Sequence, residues 1–276
     1  MALFVNTNFA SINAQRHLEE TGSSLNRALE RLSSGVRIND AFDDAAGLAI
    51  ADKLQRDVRV LGQSIRNAND GLSALAIGEK ALGSVNDILS RLSELSSQSA
   101  TGTVTNTQRS AIQQEFTALL SEVGRLSNNT SFNGVQLLSA GTTVTLQVGL
   151  DGSTNSQISF NTVDGSVSGI LSLAQTSIAA STQESAQSAL GFLTSAIATV
   201  AQTRGTLGAY ESRLLSSITA ARVARENYSA AEGRIRDTDV AAETAALTRG
   251  TILQQAGAAI LAQANQQPQL ALTLLR

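Results

Sequence analysis

The chain of 276 residues has no cysteine and no tryptophan, one histidine, one proline and only two lysines, Lys53 and Lys80. Without cysteine there is no disulfide, no thiolate nucleophile and no cysteine-ligated metal. A lone histidine, His17, cannot build a metal site, and no Ser/His/acid set has supporting context around it. It reads as a surface or interface residue, and the chain is expected to carry no cofactor. Aromatic residues make up only 3%, so a core has to come from close helix contact and not from large rings. The 20 basic and 23 acidic residues are spread along the chain, and no basic patch marks a nucleic-acid or anionic-membrane partner. No run of about 18 apolar residues exists, so no membrane insertion is expected. The start, MALFVNTNFASINAQ, lacks the charged region and apolar stretch of a Sec signal peptide.

What the chain does have is apolar periodicity at both ends. A first helix is predicted over about residues 6 to 33, with Ile12, Leu18, Leu25, Leu29 and Leu32 on its stripe. Gly35 is its stop, because glycine tolerates the left-handed conformation there. Val36 to Asp44 reads as a connector. Asp43 or Asp44 can cap a helix that starts at Ala45; the alternative for this acidic pair, cation binding, is the weaker reading. Val58, Leu61, Ile65, Ala68, Leu72 and Leu75 alternate steps of three and four, and Leu82, Leu89, Leu92 and Leu95 continue the seam. That is a heptad pattern over several repeats. Gly62, Gly71, Gly78 and Gly83 weaken this helix, so packing has to hold it.

A third helix is predicted from Gln108 to Leu126. Asn133-Gly134 has turn chemistry. The period then changes to two: Val144, Leu146 and Val148, then Ile158 and Phe160 beyond the Asp151-Gly152-Ser153 turn, predict a β-hairpin, the one β element expected. Helical period returns near Glu184, with Val200, Leu207, Leu214, Ala221 and Tyr228 seven apart. From Val240 a last helix carries Leu247, Leu253, Ala256, Ile260, Leu261 and Ala264, and Pro268 is expected to lie where it ends. Asn128-Asn129-Thr130 matches an N-glycosylation sequon, a short pattern that chance also produces.

The fold class is therefore mainly α, a long antiparallel helical bundle or coiled coil of the N- and C-terminal regions with a small β-hairpin in the middle. The terminal stripes (Leu18, Leu25, Leu29 and Leu32; Leu253, Ala256, Ile260 and Leu261) are narrow, and alone they would leave apolar surface in water. They are the candidate self-assembly helices. An enzyme needs a catalytic set that this sequence lacks, and a coiled-coil adaptor would form a finite oligomer.

Two long segments carry a family resemblance. LERLSSGVRINDAFDDAAGLAIADKL (Leu29 to Leu54) with RNANDGLSALAIGEKAL (Arg66 to Leu82) resembles the N-terminal signature of bacterial flagellin. ENYSAAEGRIRDTDVAAETAALTRGTILQQAGAAILAQANQQPQLALTLLR (Glu226 to Arg276) is similar to its C-terminal signature. The resemblance covers about residues 1 to 165 and 185 to 276. It implies an inner coiled-coil domain from residues 1–42 and 237–276. Residues 43–183 and 184–236 would form a helical core domain bearing the hairpin, in a minimal form without outer domains.

The implied function is a subunit that polymerises into the extracellular flagellar filament for swimming motility, with termini that order on assembly. The implied partners are copies of itself, the flagellar type III export apparatus, an export chaperone, the filament cap and hook-associated proteins. A host toll-like receptor for flagellin is implied as well, with Arg91, Glu94, Leu95 and Glu115 at the family's contact positions. Ser90 and Ser93 depart from common family choices there. The alternative within the same architecture is a hook–filament junction protein.

Overall fold

The computed structural model describes residues 7–139, 141–166, 169 and 179–274. Five long helices dominate the described residues: α1 (Phe9–Ser34), α2 (Ala45–Ala100), α3 (Asn106–Asn129), α4 (Gln183–Arg236) and α5 (Val240–Leu274). Four short strands lie between α3 and α4: β1 (Ser131–Phe132), β2 (Val135–Gln136), β3 (Thr143–Gln147) and β4 (Gln157–Asn161).

Local chemistry sets the helix ends. The Asn8 side chain accepts the Ser11 N–H to start α1, and Gly35, at φ 74°, stops it by donating to the Arg31 carbonyl. Asp44 Oδ1 accepts the Gly47 N–H at 2.9 Å to start α2. A Cβ on Gly47 would lie 2.9 Å from Ile38 Cδ1 and collide with the Asp44 carboxylate, so glycine is needed for this cap to seat. Thr105 and Gln108 form a capping box that starts α3 two residues before the predicted Gln108. The buried Arg109 donates to the carbonyls of Ser99 (2.9 Å) and Thr101 (3.0 Å). It thereby places a cation where the C-terminus of α2 leaves acceptors unsatisfied.

The chain divides into two compact units, Met1–Arg56 with Asn227–Arg276, and Asp57–Glu226. The second unit has a conventional apolar interior. Phe116, Leu82, Val85, Leu89, Leu92, Leu138, Leu193 and Leu214 are fully enclosed. Of the predicted heptad seam, Leu61, Ile65, Ala68, Leu75, Leu82, Leu89, Leu92 and Leu95 are buried, and Val58 and Leu72 are half-buried. The predicted hairpin is present as β3–β4, antiparallel, with Val144 opposite Phe160 and Leu146 opposite Ile158. Its polar face is held by Thr143–Asn161 (2.9 Å) and Thr145–Ser159 (3.1 Å) hydrogen bonds. Its other face meets the helices: a Cβ on Gly71 of α2 would overlap Leu146 and lie 3.4 Å from Leu214 of α4. Gly71 thus weakens α2 locally but admits the hairpin. The Phe160 and Tyr210 rings are 6.1 Å apart.

Two expectations need correction. A second ladder, β1–β2, pairs Phe132 with Val135 around Asn133 and Gly134, at φ 48° and 80°. Two-residue strands are too short to show alternation, and only their turn is legible. The last helix does not end near Pro268 but continues to Leu274; an interior proline removes one hydrogen bond and can kink a helix without ending it. The terminal LALTLLR (residues 270–276) is apolar and is expected to be poorly ordered unless docked; that expectation falls on side chains outside the described residues.

Candidate assembly surface

In the first unit α1 and α5 lie antiparallel. Asn8 Nδ2 donates to the Ala264 carbonyl at 2.8 Å, Ser11 Oγ to Asn265 Oδ1 at 2.8 Å, and at the other end Arg31 stands 3.9 Å from Glu243. Between these ends two leucines of α1 meet two glycines of α5. Leu25 Cδ1 lies 3.1 Å from the place of a Cβ on Gly250, and Leu18 Cδ1 lies 3.0 Å from that on Gly257. Leu18 and Leu25 are one heptad apart, as are Gly250, Gly257 and the buried Ala264. A seven-residue repeat keeps one seam facing the partner helix. Here the knobs come from α1, and the holes are formed by small residues of α5.

The far end is closed by backbone. Arg37 N–H donates to the Arg236 carbonyl at 2.6 Å, and Thr238 N–H to the Gly35 carbonyl at 3.1 Å. The connector after α1 is thereby joined to that before α5. The acidic pair of the sequence is fully occupied here. Asp44 caps α2, and Asp43 accepts from the Asn39 and Asp40 N–H groups while lying 3.6 Å from Arg31. The Asn39 and Asp40 donors, aided by Arg31, hold the Asp43 carboxyl below its ordinary range. Among the described residues no group of three or more His, Cys, Asp or Glu side chains is placed to hold a metal.

The structure divides the candidate assembly residues into two sets. Leu18, Leu25, Leu32 and Leu261 are half-buried. Leu29, Leu253, Ala256 and Ile260 point to solvent, with Leu253 51% and Ile260 58% exposed. Phe9, Ile12, Phe42, Ile50, Val240 and Ile252 of the same unit are also more than half exposed. Against this, its buried apolar residues are Ala14, Ala28, Ile38, Ala51 and Ala264. Apart from Ile38, the apolar side chains this unit buries are alanines, while many of its large apolar side chains are exposed, the reverse of a self-sufficient core. The glycine seam was missed in the sequence; its signal is the heptad spacing of Gly250 and Gly257.

The proposed receptor positions lie in the second unit. Arg91 donates to Glu94 Oε2 at 2.9 Å and to Glu115 Oε1 at 2.8 Å, and so joins α2 to α3. Glu94 first, then Glu115, hold the guanidinium proton more tightly than usual. All three side chains are exposed, but Leu95 is only 2% exposed. Leu95 is corrected to a core residue, because it falls on the inward heptad seam. His17 is exposed, 3.4 Å from Glu20. Thr130 of the sequon is 8% exposed and donates its hydroxyl to the Leu126 carbonyl at 2.6 Å. Among the described residues no helix is long and apolar enough to cross a membrane.

Comparison with known proteins agrees with this architecture. Residues 5–143 match the family described as the bacterial flagellin N-terminal helical region, and residues 190–275 its C-terminal helical region. A flagellin of Halalkalibacterium halodurans is 41% identical over 278 residues, covering 99% of this chain and all of the relative. The flagellar filament 33 kDa core protein of Treponema phagedenis is 37% identical over 286 residues, with coverage of 99% and 100%. Flagellin of Bacillus subtilis is 36% identical over 302 residues, covering 99% of each chain. The crystal structure of Bacillus cereus flagellin superposes with a TM-score of 0.50 at 25% identity, over 56% of this chain and 88% of that one. A putative flagellar hook-associated protein of Vibrio parahaemolyticus superposes with a TM-score of 0.60 at 14% identity, over 71% and 100%, a likeness of fold alone. With both helical regions matched and relatives aligned from end to end, the chain belongs to the bacterial flagellin family.

Proposed function

We propose that the outward apolar faces of α1 and α5 are the surfaces through which copies of this chain join. The chain is a structural subunit of the bacterial flagellar filament, as its full-length relatives are. A hook–filament junction role gains nothing from the comparisons beyond a shared fold. The observation that carries the assembly reading is the inverted burial of the terminal unit, with Ile252, Leu253 and Ile260 outside and Ala14, Ala28 and Ala264 inside. A half-exposed Leu or Ile still has on the order of 1 kcal/mol to gain from burial. Many such side chains on one unit can offset the cost of association. Contacts that use different patches on the two partners do not close, and they generate an open helix.

Family membership extends the proposal to passage through the flagellar type III channel, export chaperone, cap and hook-associated protein partners, and a location outside the cell. It also supports a host toll-like receptor contact, here through Arg91, Glu94 and Glu115, the exposed members of the four. Electron microscopy of the polymerised protein, beside a version lacking Val240–Arg276, tests the central reading. Long filaments are expected from the whole chain only. A whole chain that stays monomeric at high concentration with seeds added would overturn it.

A further inference from the structure

Phe42 is 87% exposed, more than any other large apolar side chain among the described residues. A single exposed ring needs no explanation by itself. Its turn, however, is held in place. Asp43 N–H donates to the Asp40 carbonyl at 3.0 Å, and the Asp43 carboxylate receives the Asn39 and Asp40 N–H groups. The ring therefore stands on a fixed support, with the exposed Asp40 carboxylate two residues away.

The same unit contains a matching recess. Between α1 and α5 runs an open groove of about 550 Å³. Leu25, Gly250 and Leu253 supply the apolar part of its lining, and Arg27 and Arg249 are among its polar residues. Neither of these arginines lies within hydrogen-bond or ion-pair distance of a partner among the described residues, although the Arg27 charge is felt at Asp43. Of the other charges on the groove, Arg31 lies 3.6 Å from Asp43 and 3.9 Å from Glu243, and the exposed Glu20 lies 3.4 Å from the exposed His17. An apolar patch with two cations beside it suits a guest with a hydrophobic tip and an adjacent carboxylate.

We propose that the Asp40–Phe42 turn of one copy seats in the α1–α5 groove of the next, the ring on Leu25 and Leu253 and the Asp40 carboxylate against Arg249 and Arg27. The inference rests on the filament reading and names one of its contacts. Its geometry suits an open polymer: knob and groove are different patches, so each copy that fills a groove offers a new one.

Because the chain has no cysteine, cross-linking can test this without background. In a double variant Ala41→Cys/Ala246→Cys, the charged residues and Phe42 are untouched. Oxidised filaments are expected to give a ladder of covalent multimers on a non-reducing gel, while each single variant stays monomeric. Filaments that oxidise without a ladder would overturn the contact, including the case where some other protein fills the groove. If the double variant does not assemble, charge exchange decides. Asp40→Arg and Arg249→Asp are each expected to raise the critical concentration about tenfold, and the two in one chain to restore it. Absence of that rescue also overturns the contact. Failure of the unsubstituted protein to polymerise would instead sink the filament reading, and it is seen before any substitution is made.

Discussion

Leu25 fills the space that a side chain on Gly250 would occupy, with its Cδ1 3.1 Å from the ideal Cβ and its own Cα 3.9 Å away. The helices can approach this closely only because α5 has no side chain there. Size should therefore decide the effect of substitution. Gly250→Ala brings one tight contact but recovers about 1 kcal/mol of helix propensity, so the two roughly cancel. Gly250→Leu adds atoms with nowhere to go, and overpacking costs about 1–3 kcal/mol. Sedimentation of polymer should show the alanine variant near normal and the leucine variant strongly impaired, with Leu25→Ala partly rescuing the latter. Equal assembly of both variants would disprove the seam.

The contrast in burial predicts a contrast in opening. The first unit encloses four alanines and Ile38, whereas the second encloses Phe116, Leu75, Leu82, Leu89 and Leu214. Opening free energy follows the apolar contacts that an element has to break. In dilute monomer, amides of α1 and α5 should exchange with deuterium far sooner than those of α2 between Leu75 and Leu95. In filaments the terminal helices should become protected. Matching protection of both regions in the monomer would contradict the argument.

These two units also differ in how far the sequence reveals them. The seam from Leu61 to Leu95 was legible because large apolar residues recur at heptad spacing and face one interior. Leu253 and Ile260 were equally legible as a stripe, but the direction in which they point depends on what α1 presents to α5. Gly250 and Gly257 have no hydropathic signal, and their meaning appears only with Leu18 and Leu25 opposite. Leu95 shows the opposite failure. Its neighbours Arg91 and Glu94 are exposed, and one helical step carries it into the core. The hairpin could be read from alternation, whereas β1–β2, with two residues per strand, could not.

Acid should loosen the contact between α2 and α4. Arg204 donates to Glu79 Oε1 from Nε at 3.1 Å and from Nη2 at 2.6 Å. Hydrogen bonding by Arg204 holds the Glu79 carboxyl below its ordinary value. A group with a depressed folded-state value contributes stability that is present above its unfolded value, about 4.3 for Glu, and lost as pH falls through the folded one. The pair is partly exposed, so its contribution stays under about 1 kcal/mol. Denaturant melts should show Glu79→Gln slightly less stable than the unsubstituted protein at pH 7, with the gap closing below about pH 4. A gap that is unchanged or wider in acid would disprove this account.

Ile260 tests whether the outer face of α5 belongs to an interface. It is 58% exposed, so in the monomer a polar replacement removes little packing, and its effect should stay within about 0.5 kcal/mol. Inside a polymer the same replacement places a carboxylate with no partner in a desolvated contact, which is costly unless the charge is neutralised. Ile260→Asp is therefore expected to leave the helical circular dichroism of the monomer unchanged and to stop filament growth. Ile260→Val, which keeps the contact apolar, should assemble nearly normally. If Ile260→Asp polymerised as readily as Ile260→Val, the face would be solvent-exposed in the filament too, and assembly would have to be assigned to other surfaces of the chain.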